Sequence, residues 1–177
     1  MRRYVEVTQA HNNSEQDDDH YFDWDTGYSS KMEALMRDLR EGLDSTKSII
    51  FSCWTRTLNL IVWHLKREGI PFQRIDGEVA LKARQTILDE FTADTGKPVL
   101  VMTTGTGAFG LNLTAANRVF LVEPQWNPSV ENQAIARIIR LGQNAQVLVT
   151  RYVVQDSVEK DLLSQQDRKR QIAAIGH

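Results

Sequence analysis

The sequence predicts an α/β fold in which a mostly parallel central sheet is covered by helices on both faces. Two observations carry this. From Ser48 onward, short apolar runs rich in β-branched residues alternate with longer segments whose apolar residues recur every three or four positions, the pattern of strand–helix–strand units. The chain has 177 residues and is 41% hydrophobic, enough to bury one sizeable core.

The elements follow in order. Residues 1–27 are polar and acidic without sustained periodicity, and are expected to be a flexible leader or linker. Ser29 or Ser30 can cap a helix whose Met32, Leu35, Met36 and Leu39 form one stripe, ending near Gly42. A strand at Ser48–Ser52 comes next, then helix Thr55–Glu68, strand Phe72–Ile75, helix Leu81–Phe91 and strand Val99–Met102. The second half reads as strand Arg118–Val122, helix Pro128–Leu141, strand Val147–Val153 and helix Ser157–Ala174.

Composition narrows the class. No apolar run approaches the ~20 residues that span a bilayer, and the start lacks a secretory apolar stretch, so a soluble intracellular protein without a membrane partner is expected. Cys53 is the only cysteine, which excludes an internal disulfide and a cysteine-clustered zinc site. No metal ligands are expected, and Cys53 itself reads as a small buried hydrophobe. The net charge of -2 hides an asymmetry: residues 1–27 hold seven of the acids and two of the bases, leaving 19 bases against 16 acids. That balance permits a nucleic-acid partner without demonstrating one.

In a parallel sheet, ligands bind beyond the carboxyl ends of the strands. The polar stretches SCWTRT, DGE, TTGTGAFGLN and EPQWNP each follow a strand and should share that edge. GTGAFG within the third matches the G-x-G-x-x-G turn of dinucleotide-binding folds, and Glu123 stands about where an acid would meet a ribose. Between Gly110 and the next strand, however, lie only the seven residues LNLTAAN, fewer than a crossover helix needs. No Gly-Lys-Ser/Thr follows the glycines either, so a Walker phosphate loop is excluded. Downstream, in ENQAIARIIRLGQ, helical spacing would put Gln133, Arg137 and Arg140 on one face and Ile135, Ile138 and Ile139 on another. Two arginines on a helix are commonly a solvated or ion-paired face. Together with the glycine stretch they read instead as fixed forks for a γ-phosphate.

At this point the chain resembles the second RecA-like lobe of the Swi/Snf-type ATPases, the double-stranded-DNA translocases of helicase superfamily two. The resemblance runs from about residue 28 to 175 through an ordered set: SSK, SIIFSCWT, FQRIDGEV, TTGTGAFGLNLTAANRVFLVEPQWNP and QAIARIIRLGQ. The ending DSVEKDLLSQQDRKRQIAA is most similar to the subgroup of helicase-like transcription factor and transcription termination factor two. The resemblance implies that residues 28–177 form a RecA-like three-layer sandwich, a helicase C-terminal lobe. It implies that Arg137 and Arg140 are catalytic arginines facing ATP, with Gly110, Asn112 and Gln133 near the nucleotide. It implies that Ser52 and Thr103 hold the DNA backbone and that Trp126 approaches DNA, although a core tryptophan is the competing reading of that residue.

The same resemblance implies ATP with Mg²⁺ as cofactor, double-stranded DNA and nucleosomes as partners, a chromatin-remodelling or DNA-repair role, and a nuclear location. Three positions depart from the family pattern: Ala108 where a second glycine is usual, Ile139 where a His or Trp is common, and Gln125 where a Trp is usual. None of them removes an arginine. No phosphate-loop lysine or acidic magnesium motif occurs in the chain, and the family carries both in its first lobe. The chain therefore reads as part of a larger protein, inactive alone. The alternatives are a non-catalytic DNA- or protein-binding module derived from such a lobe, and the dinucleotide enzyme.

Overall fold

A computed structural model describes residues 2–7, 29–93, 96, 98–107 and 111–175. In chain order the elements are β1 (Arg2–Val7), α1 (Ser30–Arg40), β2 (Ser48–Ser52), α2 (Thr55–Arg67), β3 (Phe72–Ile75), α3 (Leu81–Thr92), β4 (Val99–Thr103), α4 (Thr104–Gly107), β5 (Arg118–Leu121), α5 (Pro128–Ala136), β6 (Leu148–Val154) and α6 (Val158–Ile175). The strands form one sheet in the order β1-β6-β5-β2-β4-β3, and every pair is parallel.

Alternation along the strands divides the core in two. Ile50, Val101 and Phe120 lie beside one another in the sheet and pack, with α1 and α2, into one apolar layer. Their neighbours Ile49, Phe51, Leu100, Met102, Val119 and Leu121 point to the other face, against Leu88 and Phe91 of α3 and Ala134 and Ile135 of α5. Both faces are dry because parallel strands are joined by crossovers that lay helices across them. The result is the three-layer α/β sandwich expected from the alternation.

Three elements differ from the sequence reading: the short α4, which falls in a stretch read only as polar residues after a strand, β1 and α5. Within the stretch expected as a leader, Arg2–Val7 forms β1 and pairs with β6, from Arg2 beside Val149 to Val7 beside Val154. RRYVEV is a short β-prone run, and β6 would otherwise present an unpaired edge that a strand from elsewhere in the chain can satisfy. The acidic remainder of that stretch lies outside the described residues. Helix α5 ends at Ala136, not at Leu141. Its last turn tightens through Arg137 N to Ala134 O (3.2 Å) and Ile138 N to Ile135 O (2.9 Å), while the Arg137 carbonyl accepts from Leu113 N (3.2 Å). A tertiary donor thus replaces the next helical amide.

The SSK motif has a local cause. Ser29 caps α1, its hydroxyl accepting from Met32 N at 3.2 Å. Lys31, buried, donates to both Glu159 oxygens at 2.6 and 2.7 Å and thereby ties α1 to the start of α6.

Candidate functional site

Because all strands run one way, Ser52 and Thr103 end β2 and β4 side by side, and the segment Glu123–Trp126 leaves β5 on the other side of β2. The expectation of a shared edge therefore holds for these segments, but the individual side chains behave differently. Ser52 is fully buried; its Oγ accepts from Trp54 N at 3.1 Å and donates to Trp54 O at 3.2 Å. The hydroxyl closes its own turn and so shapes the Cys53–Trp54 loop at the end of β2. Thr103 is half-buried at the rim, its Oγ1 sharing a hydrogen bond with Thr106 Oγ1 at 2.7 Å.

Trp126 is 63% exposed, which excludes a core role. Just after it, Asn127 Oδ1 accepts from Ser129 N at 3.0 Å and Pro128 occupies the first turn, so the W-N-P element is a helix start that holds the indole outside the helix. Lys169 of α6 reaches back over the indole, its Nζ 4.8 Å from the ring centroid.

A second cluster gathers along the segment that feeds β5. The bond from Leu113 N to Arg137 O sets the α5 cap beside Asn112. Asn112 is exposed, with Oδ1 accepting from Thr114 N (3.3 Å) and Thr114 Oγ1 (2.9 Å) in a tight local turn. Farther on, Gln143 donates to the carbonyls of Thr114 and Ala116 at 3.0 and 2.8 Å, drawing the Arg140–Gln143 turn against the same segment. The single helical face expected for Gln133, Arg137 and Arg140 is corrected: only Gln133 lies on α5, where it is exposed, while Arg137 is the C-cap and Arg140 sits in the following turn. The side chains of Arg137 and Arg140 make no hydrogen bond or ion pair among the described residues. By contrast, Arg40, Arg74 and Arg151 each bind a carboxylate and Arg118 binds carbonyls of α1. Two guanidiniums held by the main chain and left unneutralised are suited to an anionic ligand supplied from outside.

Within the glycine stretch, packing accounts for Gly107. A β-carbon on Gly107 would stand 2.5 Å from Phe51 Cε1, so this glycine is required by the close approach of α4 to β2. Helix α4 has four residues, and Leu111–Asn117 carries no helix, so the crossover of a dinucleotide fold is absent among the described residues. Gly110 lies outside them. Two residues at the strand-end rim were not singled out from sequence: Trp54, 66% exposed after β2, and Lys169. Trp54 was visible as an aromatic directly after a strand. The contact of Lys169 with Trp126 had no signal beyond the charge run DRKR.

Residues 30–142 match the helicase conserved C-terminal domain family. The chain is 44% identical over 149 residues to DNA repair protein RAD5B of Arabidopsis thaliana, an alignment covering 82% of this chain and 12% of that protein. It is 47% identical over 148 residues to DNA repair protein RAD5 of Gibberella zeae, covering 82% and 13%. To the human helicase-like transcription factor it is 42% identical over 151 residues, covering 82% and 15%. The chain thus spans 12–15% of the length of these relatives. Among solved structures, the crystal structure of the C-terminal part of the Fun30 ATPase domain superposes with a TM-score of 0.76 at 32% identity, covering 82% of this chain and 47% of that one.

Proposed function

As the chain belongs to the helicase conserved C-terminal domain family and has the RecA-like α/β fold of the Swi/Snf-type ATPases, we propose that it is the C-terminal motor lobe of an ATP-dependent double-stranded-DNA translocase. Residues 28–177 are assigned to this lobe, in a longer nuclear protein of the DNA-repair or chromatin-remodelling type that acts on duplex DNA, including nucleosomal DNA. The observation that carries the reading is the pair Arg137 and Arg140, unpartnered among the described residues, the Arg137 carbonyl tied to Leu113 N and the Arg140 carbonyl to Gln143 N.

These residues fit the phosphate end of a nucleotide. Arg137 and Arg140 would face the γ-phosphate as arginine fingers, and Asn112, Gln133 and Gly110 would line the approach. ATP with Mg²⁺, when bound, supplies the phosphoanhydride whose cleavage drives movement. The metal ligands and the phosphate loop are assigned to the first lobe of the same polypeptide. Thr103 and Trp126, at the strand-end rim, form this lobe's half of the DNA track. Lobe closure would bring the arginines to the nucleotide while the rim grips the backbone, so that one cycle yields one step.

The test is ATP turnover by the full-length protein with and without duplex DNA. DNA-stimulated hydrolysis is expected, and Arg137→Ala or Arg140→Ala should reduce it by about 10³–10⁵. Lysine at either position should rescue poorly because it lacks the planar fork. Turnover within a few-fold of the parent would return both arginines to the solvated-face reading. No turnover in the parent would leave a binding module.

A further inference from the structure

Trp126 is mounted from the far end of the chain. The carboxamide of Gln166, buried on α6, donates to the Gln125 carbonyl and, at 3.1 Å, to Glu131 Oε1. Glu131 Oε1 also accepts from Gln125 N at 2.7 Å. Both main-chain polar atoms of the residue preceding Trp126 are therefore fixed. Three positions beyond Gln166, hence one turn along the same side of α6, Lys169 places its ammonium 4.8 Å from the centre of the indole.

Lys169 is exposed and makes no hydrogen bond or ion pair among the described residues, so its charge is available. Helix α6 lies outside residues 30–142, the part matched to the family. An indole with a cation fixed on it offers an apolar plane beside a positive charge. A nucleic-acid backbone alternates apolar sugar faces and phosphates, and is complementary to that pair in both shape and charge. Arg168, the preceding residue of α6, is a further exposed cation; of the acids on that helix, Asp167 has an interaction of its own and Asp161 lies two turns away.

We propose that Lys169 and Trp126 form one composite contact for the sugar-phosphate backbone of duplex DNA, with α6 as its mount. The proposal rests on the reading of Trp126 as a DNA-facing residue. Trp126 supplies the surface against the sugars and steadies the lysine; Lys169 neutralises one phosphate.

The experiment measures binding of the 177-residue chain to a labelled duplex of mixed sequence by anisotropy across a salt series. Lys169→Gln should reduce the slope of log K against log salt by about 0.9, the value for one phosphate, and Lys169→Arg should retain it. Trp126→Leu should weaken binding at every salt concentration. The Lys169→Gln, Trp126→Leu double variant should lose less than the product of the two single losses, since each residue needs the other. An unchanged slope in Lys169→Gln, or independent losses in the double variant, overturns the composite contact while the DNA reading stands. A parent chain with no salt-dependent duplex binding overturns both. Binding that is competed by an acidic peptide as well as by duplex assigns the pair to a protein partner and also overturns the proposal. Lys169 is exposed, so unchanged thermal unfolding of its variants is expected and separates binding from folding.

Discussion

Gly107 shows at the scale of one residue how a motif letter is fixed by packing. Since a β-carbon there would press on the Phe51 ring, Gly107→Ala should destabilise the chain by about 1–3 kcal/mol, the usual cost of overpacking. Phe51→Leu in the same chain should recover part of that loss, and a urea midpoint series checks both. Cys53 yields a pH prediction. Burial first, then the Glu123 carboxylate, pushes its thiol up from 9.0 to about 12. The fold thus favours the neutral thiol: this contribution to stability is complete below pH 9, the unfolded value, and is lost as the pH rises from 9 towards 12. At mildly alkaline pH the thiol should alkylate on the order of 10³-fold more slowly than a free cysteine, following its smaller thiolate fraction. Alkylation at the free-thiol rate would show that Cys53 is open to solvent.

Between elements, a buried hub joins α5, β6 and α6. Glu131 is fully buried, its Oε2 accepting from Arg151 Nε at 3.1 Å and its Oε1 from Gln125 and Gln166. The pair is a costly one to form, since two charges leave water, but it is costlier to break from one side. Glu131→Gln keeps an amide oxygen for Gln125 N yet removes the charge opposite the Arg151 guanidinium. It should cost about 3–5 kcal/mol in a denaturant titration. Glu131→Gln with Arg151→Met should cost less than Glu131→Gln alone, because the buried cation then leaves with its anion. Equal or greater loss in the double variant would show that the hub acts through shape and not charge.

For the whole molecule, the structure supplies a rim of strand ends and, separately, a pair of arginines along the approach to β5. Among the described residues, neither cluster contains a group that cradles the α- and β-phosphates. The isolated chain is therefore expected to bind ATP weakly and to hydrolyse none, with turnover appearing only when the first lobe is present. Steady-state hydrolysis by the purified chain that disappears in Arg137→Ala would remove the need for that lobe.

The sequence by itself determined the class of fold, the positions of five strands and most helices, the family, and the set of loops that meet at the carboxyl edge. These are legible because side-chain periodicity and turn chemistry are local: a run such as SIIFS or VLVMT states its own burial on both faces. Tertiary structure alone decided the rest. Arg2–Val7 became a strand because β6 had an open edge, α5 stopped at Ala136 because Leu113 captured the Arg137 carbonyl, and Ser52 turned inward to close the Trp54 loop. Lys169 met Trp126 because Gln166 and Glu131 seat α6 against the Gln125 peptide. Each depends on a partner distant in sequence or on a hydroxyl's choice between solvent and main chain, which packing settles and periodicity does not record.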